Sequence, residues 1–227
     1  MVQNFIAGQS DYISSHRKEA EMRSPVSWWI RGYRLLFAAL ASVAVLAQLM
    51  QSIDADRSTV DFFSYFTIQS NLIAIGVLLW GALKAFRAPG PLSRDVIRGA
   101  AVLYLAVTGI VFAALLSGQP LVTVPFSNSV LHKLMPIVMV ADWIIDPPSE
   151  DIDLRTALLW YTYPVIWLLY TMIRGALIGW YPYPFLDPAA VDGMGNVLGI
   201  TALLLTAAAV LIAAIVAIGR AARRRVG

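Results

Sequence analysis

Residues 62–80 read FFSYFTIQSNLIAIGVLLW, an uncharged run whose length matches the hydrocarbon core of a bilayer. Five further stretches have the same character, and together the six fill most of the 227-residue chain. In hydrocarbon every backbone N–H and C=O must be satisfied within its own segment, and these runs are too long for barrel strands. We therefore predict an all-α, polytopic membrane protein with six transmembrane helices in one bundle.

Composition supports this fold class. Hydrophobic residues make up 59% of the chain and charged residues 14%, and the mean hydropathy is +0.69. Soluble domains carry about 25% charged residues, so a water-soluble fold is excluded. The stretches between the runs, SIDADRST and RAPGPLS among them, are rich in turn residues. The spans are predicted at residues 27–51, 62–86, 95–118, 128–146, 155–179 and 195–219.

The chain outside these spans is short. Residues 1–26 are polar and mixed in charge, without an apolar core or a small-residue cleavage site, so we interpret them as a cytoplasmic segment and not a signal peptide. Residues 27–219 form the predicted six-helix transmembrane domain. Residues 220–227 form a basic cytoplasmic tail that anchors the topology, with recognition of lipid headgroups as the alternative.

The distribution of Lys and Arg predicts the orientation in the membrane. An even number of spans puts both chain ends on one side. That side carries 14 of the 17 basic residues, whereas the opposite loops carry only Arg57. We therefore predict that both termini are cytoplasmic. The 14 residues are Arg17, Lys18, Arg23, Arg31, Arg34, Lys84, Arg87, Arg94, Arg98, Arg155, Arg220, Arg223, Arg224 and Arg225.

Cysteine and histidine usage limits the chemistry. The chain has no cysteine, which excludes disulfides, thiolate nucleophiles, iron–sulfur clusters and cysteine zinc sites. With only His16 and His132, a histidine-rich metal site is excluded as well. We predict no metal ion, no cofactor and no nucleic-acid partner.

Polar side chains of several spans are predicted to meet near the outer face. Thr67 lies about five residues into the second span, or about 8 Å deep at a rise of about 1.5 Å per residue, and His132 lies at a comparable depth in the fourth. Asn71 is one turn below Thr67, Asn128 is one turn above His132, and Arg174 falls in the same layer. Polar groups in hydrocarbon usually turn toward a partner or a function.

Each of these residues also has a purely structural interpretation. A membrane threonine often bonds its own backbone or a neighbouring helix, and His132 is equally a candidate for a structural hydrogen bond. Arg174 cannot lose its charge, so it needs an anion, water or the headgroups. Asn71 and Asn128 suit helix packing or capping. Pro136 cannot donate to the carbonyl of His132 and is expected to bend the helix there.

Two further groups lie outside this layer. Asp142 and Asp146, toward the cytoplasmic end of the fourth span, are predicted to pair with Arg31, Arg34 or Arg98, with an ion relay as the alternative. An aromatic run follows the fifth span and is interpreted as an interfacial belt. It alternatively forms the rim of a lipid-facing entrance. The run comprises Trp180, Tyr181, Tyr183 and Phe185.

Three segments carry a resemblance to a known family. They are YFTIQSNL (65–72), LHKLMPIVMVADW (131–143) and YTMIRGALIGWYPYPFLDP (170–188). They resemble the bacterial branch of the androgen-induced-gene and androgen-dependent TFPI-regulating-protein family, over roughly residues 30–215. Animal members are six-span hydrolases that cleave fatty acid esters of hydroxy fatty acids with a threonine nucleophile and a histidine. The resemblance implies that Thr67 is the nucleophile and His132 the base, in a multi-pass protein of the bacterial plasma membrane.

The mechanism expected from this resemblance is that of a threonine- and histidine-dependent carboxylic ester hydrolase. His132 takes the proton as the Thr67 oxygen attacks an acyl carbonyl, then returns it to the departing alcohol. Arg174 or Lys133 is expected to hold a substrate carboxylate. An amide of Asn71 or Asn128 is expected to donate to the oxyanion. No third triad member is assigned, and the expected partner is a membrane lipid or amphipathic ester.

The alternative is a non-enzymatic protein that binds lipid or transports a small solute, with the same polar layer as its binding site. Paired helix breaks at the midplane indicate a transporter, and only Pro136 and Pro164 interrupt the spans. A polar path through both halves that uses Asp142 favours transport. A pocket closed toward the cytoplasm favours a hydrolase.

Overall fold

The computed structural model describes residues 28–83, 94–117 and 124–226, and every regular element in these ranges is a helix. The predicted N-terminal segment, residues 1–26, lies outside them. Six of the described helices are long and apolar enough to cross a membrane, which confirms the all-α, multi-pass prediction. In chain order, the first to sixth spans are Trp28–Asp54, Phe66–Leu83, Arg94–Leu116, Pro125–Ile145, Leu154–Ile178 and Met194–Arg225.

The second span begins later than predicted because the chain breaks at Tyr65. A short helix, Thr59–Ser64, precedes the break, and Tyr65 is extended with φ −67° and ψ 129°. Trp167 of the fifth span donates its indole N–H to the carbonyl of Ser64 at 2.9 Å. This bond satisfies a carbonyl at the end of the short helix, where no intrahelical donor follows. The predicted end at residue 86 lies outside the described residues.

Two other span boundaries also differ from the predictions. The fourth span begins at Pro125 instead of residue 128, and proline suits the first turn of a helix because its missing N–H has no acceptor there. The sixth helix continues past residue 219 through the predicted basic tail. Alanine and arginine are strong helix formers, so the helix does not stop where its hydrophobic part ends.

The bundle is built around the first four spans. The first packs on the second, the second on the third, and the third on the fourth, while the sixth contacts the third and fourth. Ala38, Ala41 and Ala44 of the first span are almost completely buried. Small residues let helix backbones approach closely, which is the main source of helix association in lipid. The fifth span is peripheral and is exposed along most of its length.

The third and fourth spans each contain one wide, π-helical turn, at Phe112–Leu116 and Val130–Leu134. In the fourth span the N–H of Met135 bonds the carbonyl of Val130, five residues back. Pro136 follows and has no N–H to offer the carbonyl of His132, so the predicted distortion beside His132 takes the form of this π turn. Single π turns are rare and often occur at functional sites.

A buried ionic network joins the first, third and fourth spans at the end remote from Thr67. Arg34 donates to Asp142 at 2.6 and 3.1 Å and to Asp146 at 2.8 Å. Arg98 donates to the Asp146 carboxylate at 2.9 Å and to its backbone carbonyl. The predicted pairing with Arg34 and Arg98 is confirmed. The alternative partner, Arg31, makes no salt bridge with either aspartate, and its buried Nε has no hydrogen-bond partner among the described residues.

Candidate functional site

Thr67 owes its environment to the break at Tyr65. It is the second residue of the second span, where a backbone N–H has no acceptor within the helix. The hydroxyl oxygen of Tyr183 accepts that N–H at 3.2 Å, and it lies 3.2 Å from Thr67 Oγ1 as well. Only 5% of Thr67 is exposed. Tyr183 therefore caps the helix and contacts the candidate nucleophile with one atom.

Tyr183 lies outside the spans, in the loop between the fifth and sixth. Burial raises the pKa of Tyr183 to about 12, so its hydroxyl keeps its proton at neutral pH. Because its oxygen already accepts the Thr67 N–H, its proton is available for donation. A neutral tyrosine in this position acts as a hydrogen-bond donor and not as a base.

Thr67 is one of the residues that line a cavity of about 90 Å³, here called the Thr67 cavity. Side chains of the second, third, fifth and sixth spans and of the loop after the fifth span line it, and nearly all are apolar. Thr67 and Tyr183, whose hydroxyls contact each other, are both part of this lining. Tyr161, six residues before Trp167, donates to the carbonyl of Leu205 at 2.6 Å and joins the fifth and sixth spans at a deeper level. The lining of the cavity is suited to an apolar group.

The Thr67 cavity is less enclosed on the side of the fifth and sixth spans. Its lining residues on the second and third spans are mostly buried, including Phe66 and Leu103. Pro164, Leu168 and Leu204, on the fifth and sixth spans, remain partly exposed. The lining is therefore more exposed on the side of the fifth and sixth spans than on the side of the second and third.

The loop between the fifth and sixth spans contributes part of the lining of the Thr67 cavity. Gly179 and Gly193 bound the loop, with φ of 69° and 110°, values that glycine adopts without a Cβ clash. The Tyr183 and Phe185 rings stack 5.2 Å apart and both line the cavity. For Tyr183 and Phe185, the alternative prediction of a rim therefore fits this position better than the prediction of an interfacial belt.

His132 lies on the π turn of the fourth span and is not one of the residues that line the Thr67 cavity. Its ring stacks on Phe112 of the third span, with centroids 4.5 Å apart. Its Nδ1 lies 3.3 Å from the carbonyl of Asn128. A carbonyl only accepts, so this bond requires the proton on Nδ1 and leaves the lone pair on Nε2. The neutral ring thus has a nitrogen available as a base.

Asn71 connects the two candidate catalytic positions through the backbone. Its Nδ2 donates to the carbonyl of Thr67 at 2.8 Å and to the carbonyl of Leu131, the residue before His132, at 3.2 Å. The two backbone segments therefore converge on one amide nitrogen. No described hydrogen bond joins the side chains of Thr67 and His132. Both amide hydrogens of Asn71 are used by these carbonyls, which leaves none for a substrate oxyanion.

The other predicted site residues lie around this centre. Asn128 is half-buried and its Oδ1 has no hydrogen-bond partner. Lys133 is exposed, with its Nζ 5.9 Å above the Phe112 ring.

Arg174 has the anion that its charge requires. Its Nη2 lies 2.5 Å from Asp61, and its guanidinium stands 4.8 Å over the Trp180 ring. Its Nη1 is buried and has no hydrogen-bond partner in the part of the chain that the structure describes. A substrate carboxylate at Arg174 would compete with Asp61.

Sequence reasoning missed Tyr183 as a partner of Thr67. The residue stood in an aromatic run that suits a membrane interface equally well. One signal was available, because a buried tyrosine usually finds a partner for its hydroxyl. The sequence could not identify Thr67 as that partner, since 116 residues separate Tyr183 from Thr67.

The comparisons with known proteins add no assignment to this geometry. No protein-family model matches the chain. Neither a curated protein nor a solved structure matches it. The resemblance drawn from residues 65–72, 131–143 and 170–188 therefore stays a prediction, and the geometry of the site carries the functional argument.

Proposed function

We propose that this protein is an intramembrane hydrolase of amphipathic lipid esters, such as fatty acid esters of hydroxy fatty acids. One observation carries the proposal: a buried threonine, whose hydroxyl bonds that of Tyr183, lines an apolar cavity. An acyl chain in the Thr67 cavity would bring its ester carbonyl to Thr67. The setting we propose is the bacterial plasma membrane.

The proposed orientation puts both termini in the cytoplasm and Thr67 near the outer face. The buried arginines Arg34, Arg94 and Arg98 lie at the opposite end of the bundle from Thr67, as does Arg220 of the sixth helix. Cytoplasmic ends of spans are enriched in such residues. Water from the exterior would then reach an ester whose acyl chain lies among the helices.

In the proposed reaction, Nε2 of His132 accepts the Thr67 proton, directly or through one water, as Oγ1 attacks the acyl carbon. The hydroxy acid leaves as its oxygen takes the proton back from the histidine. Water then attacks the acyl-threonine with His132 again as base, and the free fatty acid is released. The Tyr183 hydroxyl is a candidate donor to the oxyanion, in a role worth about 3 kcal/mol per donor.

A second candidate is lipid binding without turnover. It is favoured by the position of His132 outside the lining of the Thr67 cavity and by the bond between Thr67 and Tyr183. Transport has less support. Asp142, the residue of the proposed polar path, is 1% exposed and bonded to Arg34, so its carboxylate already has a charge partner.

Turnover of a defined ester tests the proposal. Purified full-length protein in nanodiscs is incubated with the palmitoyl ester of hydroxystearic acid, and free palmitate is measured by mass spectrometry. Thr67→Val, which keeps the shape and removes the hydroxyl, and His132→Gln should both abolish release. Thr108→Val is the matched control, because Thr108 lines the same cavity and its Oγ1 bonds only the Tyr104 carbonyl. Full turnover by folded Thr67→Val would overturn the assignment of the nucleophile.

Covalent labelling separates the two candidates. A long-chain fluorophosphonate should leave an adduct on the peptide that contains Thr67, and the adduct should be absent in Thr67→Val. Saturable binding of the ester by wild-type protein, with neither adduct nor palmitate release, would instead establish the non-enzymatic candidate.

A further inference from the structure

A second cavity, of about 510 Å³, lies at the other end of the bundle from Thr67. It is formed between the C-terminal end of the sixth helix and the segment that joins the fourth span to the fifth. Apolar and charged side chains contribute to its lining in similar measure. We call it the Arg223 groove. Its apolar wall includes Val216 and Ile152, and its charged wall includes Arg220, Arg223, Arg224 and Glu150.

The walls of the Arg223 groove are held in place by contacts within the protein. Trp143 is 1% exposed and donates its indole N–H to the carbonyl of Ile215 at 3.0 Å. Gly219 permits the close approach, because a Cβ there would lie 2.9 Å from Trp143 Nε1 and 3.2 Å from Pro148 Cγ. Arg220 bonds Asp151 at 2.7 Å across the groove. The groove is therefore formed before any ligand binds.

The groove crosses the boundary between hydrocarbon and water. The sixth helix is uncharged through Gly219, and Arg220 is its first charged residue. Arg223 lies one turn beyond it, or about 4.5 Å further along the axis. Val216 lies one turn on the other side of Arg220. A ligand in the groove meets apolar surface at one end and charged side chains at the other.

The groove residues that form no described salt bridge include both positive and negative side chains. Arg220 is paired with Asp151. Within the described part of the chain, Arg223 and Arg224 form no salt bridge or hydrogen bond, and neither does Glu150. Two guanidinium groups and one carboxylate therefore face the same groove without partners. A plain anion would satisfy the arginines but would be repelled by Glu150. A zwitterion with a phosphate and an ammonium group satisfies all three.

We propose that the Arg223 groove binds the headgroup of a phosphatidylethanolamine. The phosphate lies at Arg223 and Arg224, whose guanidinium forks match phosphate oxygens. The ammonium donates to the Glu150 carboxylate, and the glycerol and first methylenes lie against Val216 and Ile152. A choline headgroup has no N–H to donate to Glu150, and a glycerol headgroup has no cation. The proposal is independent of the chemistry at Thr67.

Native mass spectrometry of the purified full-length protein tests this selectivity. Phosphatidylethanolamine, phosphatidylcholine and phosphatidylglycerol with identical acyl chains are added separately, and the bound fraction is measured. Wild-type protein should retain phosphatidylethanolamine about fivefold more than either of the others, since one surface charge contact contributes about 1 kcal/mol. Equal retention of phosphatidylethanolamine and phosphatidylcholine, or a preference for phosphatidylglycerol, would overturn the proposal.

Single-charge variants locate the contacts. Glu150→Gln should lower retention of phosphatidylethanolamine to that of phosphatidylcholine and raise retention of phosphatidylglycerol. Arg223→Gln and Arg224→Gln should each weaken binding of all three lipids. Arg225→Gln is the matched control, because it removes a cation from the same helix end without touching the groove. An effect of Arg225→Gln as large as that of Arg223→Gln would show unspecific attraction and refute the site.

A soluble competitor distinguishes the lipid from its free headgroup. Glycerophosphoethanolamine has the same charges but no acyl chains, so it should displace bound phosphatidylethanolamine only at a large excess. If it competes at equal concentration, the apolar wall contributes nothing and the assignment to a membrane lipid fails.

Discussion

The hydroxyl oxygen of Tyr183 lies 3.2 Å from the backbone nitrogen of Thr67 and 3.2 Å from its Oγ1. One atom of the loop between the fifth and sixth spans thereby caps the start of the second span and contacts the hydroxyl of Thr67. Folding and the proposed chemistry depend on the same contact, and their contributions can be separated by experiment.

Tyr183→Phe should lower the free energy of unfolding by about 1–3 kcal/mol, because it leaves the buried N–H of Thr67 without an acceptor. Reversible unfolding in mixed micelles measures the loss. Tyr181→Phe is the control: Tyr181 packs against Gly175, its hydroxyl has no described hydrogen bond, and its removal should change little. Equal effects of the two variants would contradict a capping role for Tyr183.

The Tyr183 hydroxyl should also make stability depend on alkaline pH. Its folded-state pKa is raised to about 12, whereas the unfolded value is 10.0. The stabilisation from the neutral form is complete below pH 10 and is lost as pH rises toward 12, since the unfolded state ionises first. The unfolding free energy of wild-type protein should therefore fall more steeply over this window than that of Tyr183→Phe. If the unfolding free energies of wild type and Tyr183→Phe changed in parallel with pH, folding would not raise the pKa of Tyr183.

Asp142→Asn should be strongly destabilising, because it leaves the buried guanidinium of Arg34 short of a charge partner. Breaking one side of a buried pair costs about 3–5 kcal/mol. Asp151→Asn provides the comparison, since its pair with Arg220 is largely exposed and pairs of that kind contribute about 0–1 kcal/mol. Unfolding of the two variants under identical conditions gives the difference. Similar small losses of unfolding free energy in both variants would mean that the network does not hold the first, third and fourth spans together.

Gly99→Ala should destabilise the third span, because its Cβ would lie 2.3 Å from the ring of Trp160. Overpacking of this kind costs about 1–3 kcal/mol. Gly76→Ala makes the same change where nothing lies within 4 Å, and it should be neutral or mildly stabilising. Thermal unfolding of both variants measures the contrast. A stable Gly99→Ala protein would indicate that Trp160 moves easily.

Asp61→Asn should improve the use of substrates that carry a free carboxylate. Asp61 now occupies Arg174, and its neutralisation frees the guanidinium for the substrate. KM for the hydroxystearate ester should fall severalfold, whereas KM for the corresponding methyl ester should not change. The experiment rests on the proposed hydrolase activity. An equal change for both esters would argue that Arg174 does not hold a substrate carboxylate.

Several features of the fold followed from local sequence properties. Six runs of about 20 apolar residues predicted six helices because hydrocarbon allows no other arrangement of a single span. The pairing of Asp142 with Arg34 was predictable as well, since a buried charge needs a counter-charge. The break at Tyr65 was not, because the indole that satisfies the Ser64 carbonyl there belongs to Trp167, 103 residues further along the chain.

The candidate site could be predicted only in part from the sequence. Depth in the membrane follows from position along a span, so Thr67 and His132 were recognised as members of one layer. The direction in which a span faces does not follow from hydropathy when nearly all of its sides are apolar. Packing sets that direction, and it turned Thr67 toward Tyr183 and the ring of His132 toward Phe112.

By itself, then, the sequence determined the number of spans, their approximate limits and the level of the polar residues, because these depend on composition over a single segment. Only the tertiary structure decided that Tyr183 reaches Thr67, that Asn71 binds the backbones of two spans, and that unpaired charges of both signs face the Arg223 groove. Tyr183 lies 116 residues from Thr67, and Asn71 lies 60 residues from Leu131. Their geometry depends on how helices and loops pack, which no single segment encodes.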